Sequence, residues 1–167
     1  YTTTAVNNVY GYLQSQVTTG NSYNRVVVGL NGDGSTKYAD RKVGSYTTNA
    51  TDIDAFGTVL ESVTNGVSSK PDPDNSVIDL KTGDYTTTAV NNVYGYLQSQ
   101  VTTGNSYNRV VVGLNPDGST KYADRKVGSY TTNATDIDAF GTVLESVTNG
   151  VSSKPDPDNS LIDLKTG

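Results

Sequence analysis

Val6, Val9, Tyr10, Leu13 and Val17 follow one another at spacings of three and four, the mark of one apolar face on a 3.6-residue period. Ile53, Phe56, Val59, Leu60 and Val63 repeat the pattern further on. The spacing predicts two amphipathic helices. Thr3 or Thr4 and Thr51 stand as N-cap residues, and Asp52 and Asp54 suit the positive first turn. Gly20 and Gly66 fall where a left-handed C-cap is expected. Gly11 and Gly57 then lie mid-helix, each at a cost of about 1 kcal/mol against Ala. Their matching positions suggest a close backbone crossing; tolerated surface glycines are the plainer alternative.

After each helical pattern the period changes. Arg25–Leu30 is a continuous β-branched run, Asn31-Gly32-Asp33-Gly34 reads as a turn, and Ser35–Val43 alternates as a return strand. Val67–Lys70 is a shorter strand, broken by Pro71-Asp72-Pro73-Asp74-Asn75, and Ser76–Lys81 returns. The order is helix–hairpin, twice. Helices of this kind need a sheet to cover, so the predicted class is α+β: two helices on short antiparallel strands in each module.

The whole pattern then recurs. Tyr1–Gly83 and Tyr85–Gly167 align without a gap, and 81 of the 83 pairs are identical; the exceptions are Gly32 against Pro116 and Val77 against Leu161. Folding does not demand such identity, since identical neighbours are prone to misassembly. Recent duplication is the plain reading, and it lets a protein change length by whole modules. The predicted modules are 1–84 and 85–167, elongated end to end. A fainter kinship lies inside each module. Tyr46-Thr47-Thr48 echoes Tyr1-Thr2-Thr3, and Val63-Thr64-Asn65-Gly66 parallels Val17-Thr18-Thr19-Gly20. Pro116 makes Asn-Pro-Asp-Gly, the preferred spelling of a type I turn, so Gly32 is not required there for a positive φ.

The junction between modules is Lys81-Thr82-Gly83-Asp84-Tyr85-Thr86. It has no Gly/Ser or Pro-rich tether. Its spelling resembles Lys42–Thr48, which joins strand to helix within the module, so an ordered connection with restricted motion is expected.

Composition narrows the chemistry. There is no Cys and no His, so thiolate metal sites, disulfides and the commonest general base are all missing. A net charge of −5 speaks against nucleic acid and against an anionic membrane surface. The longest apolar run, Val26-Val27-Val28, is too short to span a bilayer. No signal peptide is present, and the chain reads as a piece of something longer.

Few side chains form a constellation. Asn31, Asp33 and Ser35, and again Asp72, Asp74 and Ser76, have the odd-position spacing of a calcium loop. Neither set has the sixth-position Gly and twelfth-position Glu of an EF-hand, and polar turns explain both. No metal and no cofactor is expected. Lys37 or Lys42 with Asn7 or Asn8 is a candidate pair for an internal isopeptide bond. Asn49-Ala50-Thr51 fits a glycosylation sequon, and Glu61 reads as a solvated helix residue. Six Tyr per module (Tyr1, Tyr10, Tyr12, Tyr23, Tyr38 and Tyr46) suit half-buried strands and module interfaces better than sugar platforms.

Near-identical tandem units, acidic, Thr/Asn/Ser/Tyr-rich and without Cys, resemble the streptococcal high-identity repeats in tandem of Gram-positive surface adhesins. The resemblance spans the whole chain and rests on repeat length, identity and composition. It implies a secreted, wall-anchored stalk on the cell surface, with neighbouring repeats, the cell wall and a terminal adhesive domain as its partners. Reach would be set by repeat number. A monomer without catalytic activity is expected, with no nucleic acid and no membrane among its partners. The alternative is a repeat that binds glycan or host protein through avidity.

Overall fold

The computed structural model describes residues 1–72, 79–155 and 163–166. It contains strands and turns and, among the described residues, no helix. The strands are β1 (Thr2–Asn7), β2 (Leu13–Leu30), β3 (Thr36–Ile53), β4 (Val59–Pro71), β5 (Asp79–Asn91), β6 (Leu97–Leu114), β7 (Thr120–Ile137), β8 (Val143–Pro155) and β9 (Asp163–Lys165). They form one antiparallel sheet in chain order, each strand paired with the next.

This corrects the α+β expectation. The helical spacing of Val6, Val9, Tyr10, Leu13 and Val17 comes from two strands and the turn between them. Asn8-Val9-Tyr10-Gly11 closes with Gly11 N–H donating to Asn8 O at 3.0 Å, and Asn8 N–H donates to Tyr12 O at 2.8 Å. The Asn8 carboxamide also accepts from Tyr10 N and Tyr12 N. Gly11 has φ 85°, the left-handed position that ends such a turn. Asp54-Ala55-Phe56-Gly57 repeats the arrangement, with Gly57 at φ 86°. Gly11 and Gly57 are therefore turn residues and not helix interior. Val9 and Phe56, on the expected apolar faces, stand at turn tips with 93% and 74% exposure.

The expected caps dissolve in the same way. Thr3 and Thr4 lie in β1, opposite Thr18 and Val17. Thr51 and Asp52 lie in β3, where the Thr51 hydroxyl donates to Glu61 Oε1 at 2.9 Å. Asp54 caps a turn. Gly20 and Gly66 sit inside β2 and β4. Thr, Val and Tyr fill a pleated surface well, and here that preference prevails over the 3.6 spacing.

The hairpin of Arg25–Leu30 and Ser35–Val43 is present as the distal half of two longer strands, joined by the Asn31–Ser35 turn. The six described turns share the spelling Asn/Asp-x-x-Gly. The break proposed at 71–75 falls largely on residues outside the described ones, as do Val77 and Leu161.

The sheet is a single layer. Among the described residues no second layer packs on either face, and Leu80, 6% exposed, is the one buried apolar residue. The accessible surface is 10821 Å². A compact monomer of this mass would expose about 7900 Å². The two-layer rule for burying a sheet face is not met. Stability must therefore rest on strand hydrogen bonds and on side-chain rows running across the strands.

Three such rows lie side by side on one face. Thr3, Thr18, Thr48, Thr64, Thr87, Thr102, Thr132 and Thr148 stand opposite one another through eight strands. Their hydroxyls bond in pairs at 2.8–2.9 Å. Two residues along, Gly20, Tyr46, Gly66, Tyr85, Gly104, Tyr130 and Gly150 alternate. Beyond them Ser22, Gly44, Ser68, Gly83, Ser106, Gly128 and Ser152 alternate in turn. The halves that echo each other in sequence occupy matching places in these rows.

Candidate functional site

The sequence sets the boundary between repeats at Lys81, Thr82, Gly83, Asp84, Tyr85 and Thr86. All lie inside β5, which begins in the first repeat and ends in the second. The boundary between 84 and 85 thus falls within a strand. β5 pairs with β4 of the first repeat on one side and β6 of the second on the other.

Asp84 is the centre of the junction. Its carboxylate accepts from Lys81 Nζ at 2.5 Å, Asn105 Nδ2 at 2.7 Å and Tyr107 Oη at 3.0 Å. The Lys81 ammonium lies 4.5 Å from the centre of the Tyr107 ring. Lys81, then Asn105, then Tyr107 hold the Asp84 carboxyl below the usual carboxylate range, against some desolvation. Its hydrogen bond to Asp84 raises Lys81 above the ordinary lysine value. One residue of the connection therefore ties β5 to β6.

Its neighbours hold the other side. Thr82 Oγ1 donates to Ser68 Oγ at 3.1 Å, and Thr86 Oγ1 donates to Asn65 Oδ1 at 2.7 Å. Gly83 stands between Ser68 and Ser106, completing the Ser/Gly row. Tyr85 lays its ring over Gly66 of β4, where a Cβ would overlap Cε1 and Cζ of the ring. Tyr46 covers Gly20 and Tyr130 covers Gly104 in the same manner. A glycine in a strand leaves a hole in the pleated surface, and a neighbouring aromatic ring fills it.

Two further ion pairs reach across strands. Arg41 of β3 meets Asp79 of β5 at 2.7 Å. Arg109 of β6 pairs with the buried carboxylate of Asp72, so a first-repeat residue just after β4 is bound to the second repeat. The Arg109 guanidinium also lies 4.8 Å from the Tyr122 ring centre. Sequence reasoning missed Asp72–Arg109. The contact spans 37 residues and bridges over β5, and no local spelling announces it.

The other candidates do not assemble into chemistry. Asn31, Asp33 and Ser35 bond one another: Asp33 Oδ1 accepts from Ser35 N and Oγ, and Asn31 Nδ2 donates to Ser35 Oγ. Asp74 and Ser76 lie outside the described residues. Asn7 and Asn8 are at one end of β2, beside Leu13, whereas Lys37 is opposite Gly29 and Lys42 opposite Tyr23. At about 3.3 Å per residue these lysines stand roughly 30–50 Å from the asparagines, out of reach of an isopeptide bond. Asn49 lies in β3, and Glu61 lies in β4 rather than on a helix. Among the described residues no three acidic side chains gather to hold a metal.

Aromatic residues also pair at the turns. Tyr12 meets Phe56 edge-on at 6.2 Å, and Tyr96 meets Phe140 at 6.4 Å, so neighbouring turns on one end of the sheet touch. Comparison with family models, with curated proteins and with solved structures finds no match to this chain.

Proposed function

We propose that this chain is a non-catalytic repeat segment of a wall-anchored bacterial surface protein, in which successive repeats extend one β-sheet and space a terminal adhesive domain from the cell. The observation that carries this reading is the continuity of β5, which belongs to both repeats at once. A further repeat of the same sequence can be added by the same pairing, with no new kind of interface. Acidic composition, absence of Cys and the resemblance to adhesin repeats support the surface setting. Neighbouring repeats are the first partners of each repeat; nucleic acid and membrane are not among them.

The geometry alters what a repeat would add. Strands lie about 4.8 Å apart, so four strands per repeat lengthen the sheet by about 19 Å. The 18-residue strands lie across that direction and make a ribbon roughly 60 Å wide. Such a segment is wide and short for its mass, and stiff because neighbouring repeats share strands.

Small-angle scattering on proteins of four, six and eight repeats tests the reading. Length should grow by about 19 Å per repeat at constant cross-section. Growth by roughly 30 Å per repeat, the diameter of a separate compact module, would contradict it.

The avidity alternative draws on Tyr10 and Tyr94, 81% and 80% exposed at equivalent turns. With Phe56 and Phe140, 74% and 75% exposed at neighbouring turns, they make a row of exposed rings along one end of the sheet; this reading stands second because the shared strand β5 supports the spacer directly.

A further inference from the structure

Asn followed by Gly is the pair at which a side-chain amide is most open to attack by the main chain, because glycine sets no side chain beside the attacking nitrogen. The pair occurs at Asn31-Gly32, Asn65-Gly66 and Asn149-Gly150. The surroundings differ. Asn31-Gly32 opens the turn between β2 and β3, where residues 31–35 are all exposed. An atom added at Gly32 would meet nothing within 4 Å. The turn closes by Asn31 N–H to Ser35 O at 2.8 Å and Gly34 N–H to Asn31 O at 2.9 Å, and neither bond uses Gly32 N–H. Asn65-Gly66 instead lies within β4, between β3 and β5. There Asn65 Oδ1 accepts from Thr86 Oγ1 at 2.7 Å, and the Tyr85 ring lies over Gly66. Asn149-Gly150 has the same place in β8.

The second repeat contains the counter-example. Asn115-Pro116 stands where the first repeat has Asn31-Gly32, in a turn closed by the same two bonds at 2.8 and 2.9 Å. Proline has no N–H, so its nitrogen cannot give up a proton and become the nucleophile. The neighbouring Asp33-Gly34 also places glycine after a carbonyl-bearing side chain. Its Gly34 N–H is engaged by Asn31 O, and the Asp33 carboxylate accepts from Ser35 N and Oγ. An ionised carboxylate held in that way is a poor target for attack.

We propose that Asn31 is a self-modifying site, at which the folded chain converts its own amide to a carboxylate through a succinimide. Gly32 N attacks Asn31 Cγ. A new N–C bond forms, the Cγ–Nδ2 bond breaks, and Nδ2 leaves as ammonia with the proton that Gly32 N gives up. Water then opens the five-membered ring. Breaking the bond from Gly32 N to Cγ yields aspartate at residue 31. Breaking the original peptide bond yields isoaspartate, with the main chain running through Cβ and Cγ. The sum is amide plus water to carboxylate plus ammonia, with no oxidant, metal or second protein. Either product sets a new negative charge beside Asp33 and removes the donation from Asn31 Nδ2 to Ser35 Oγ. Isoaspartate also adds a methylene to the main chain inside the turn. The Gly32/Pro116 difference thus separates a hairpin tip that ages from one that does not. The inference rests on the turns and not on the spacer role.

Tryptic peptide mapping by mass spectrometry, on the intact chain held folded at mildly alkaline pH, tests it. Peptides 26–37 and 110–121 differ by Gly32 against Pro116, and those carrying Asn65 and Asn149 differ by Val77 against Leu161, so each site is read by itself. Asn31 should gain one mass unit at least about tenfold faster than Asn65, because an exposed turn opens far more readily than an inner strand. Isoaspartate should appear among the products, and Asn115 should stay intact. In urea Asn65 should catch up with Asn31, while Asn115 still lags. Gly32→Pro should stop the reaction at residue 31, and Pro116→Gly should start it at Asn115. Circular dichroism checks that both variants keep the sheet. An Asn31 that stays intact in the folded chain overturns the proposal, whatever happens in urea. Equal rates at Asn31 and Asn65 in the folded chain overturn it too, as does a folded Pro116→Gly variant whose Asn115 does not react.

Discussion

Tyr85 lays its ring across Gly66, the residue opposite it on the neighbouring strand, and so fastens the second repeat onto the first. A methyl group at residue 66 has no room beneath that ring. Gly66→Ala should destabilise the chain by about 1–3 kcal/mol through overpacking. At this chain length that is a fall in Tm of roughly 2–12 °C. Gly150→Ala, where no ring lies above, should cost much less. Equal losses at the two positions would show that the rings do not seat as described.

The two copies of the distal hairpin turn close alike. Gly34 N–H donates to Asn31 O, and Gly118 N–H to Asn115 O, both at 2.9 Å. Gly32 is not among the positive-φ glycines, whereas Gly34 and Gly118 both have φ 82°. Residue 32 thus has no positive φ that would bar a proline such as Pro116. Gly32→Pro should stabilise by about 0.4–1 kcal/mol by restricting the unfolded chain, and Pro116→Gly should destabilise by as much. Thermal melts of the two variants check it; a destabilised Gly32→Pro would mean that the turns differ.

Acid should loosen the sheet at its turns and at its junction. The hydroxyl of Ser35 lowers Asp33 and that of Ser119 lowers Asp117. Backbone N–H groups of Thr58 and Thr142 lower Asp54 and Asp138, and Lys81 lowers Asp84. A carboxyl depressed by folding stabilises above its unfolded value and loses that contribution as pH falls through the folded one. Tm should therefore hold from pH 7 to about 5 and decline below about 4. Lys81 is raised, so its contribution is complete below the unfolded value and fades at pH above about 10.4. Asn8 makes the same two turn bonds as Asp54 with a neutral amide. Replacing Asp54 and Asp138 by Asn should keep the turns and flatten the acid slope. An unchanged slope would remove these carboxylates from the account.

Of the three described turns in each repeat, one is legible from sequence. Asn31-Gly32-Asp33-Gly34 declares itself by two glycines, and Pro116 confirms the turn type. Asn8-Val9-Tyr10-Gly11 and Asp54-Ala55-Phe56-Gly57 have the same frame, but apolar residues occupy the middle. Those residues completed a false 3.6-residue period with Val6, Leu13 and Val17 on one side and with Ile53, Val59 and Val63 on the other. A single-layer sheet adds to the difficulty. With no buried face, its strands have little reason to alternate apolar and polar residues, so the usual period of two is faint. The kinship of Tyr46–Thr48 with Tyr1–Thr3 and of Val63–Gly66 with Val17–Gly20 was visible, and it marks equivalent strand positions. What could not be read was the partner of each: that Tyr sits on Gly, Thr beside Thr, and Asp72 on Arg109 follows only from register.

The central claim is that both repeats belong to one sheet. Thr3 and Thr148 lie in the same row, seven strand spacings apart. The chain has no Cys, so Thr3→Cys and Thr148→Cys give two unique sites for spin labels. Pulsed dipolar spectroscopy, with labelled protein diluted in unlabelled chain, reads the separation directly. One narrow distribution centred near about 34 Å is expected from seven spacings of about 4.8 Å. A broad distribution, or one centred far from that distance, would mean two modules that move or pack independently, and would contradict the shared sheet.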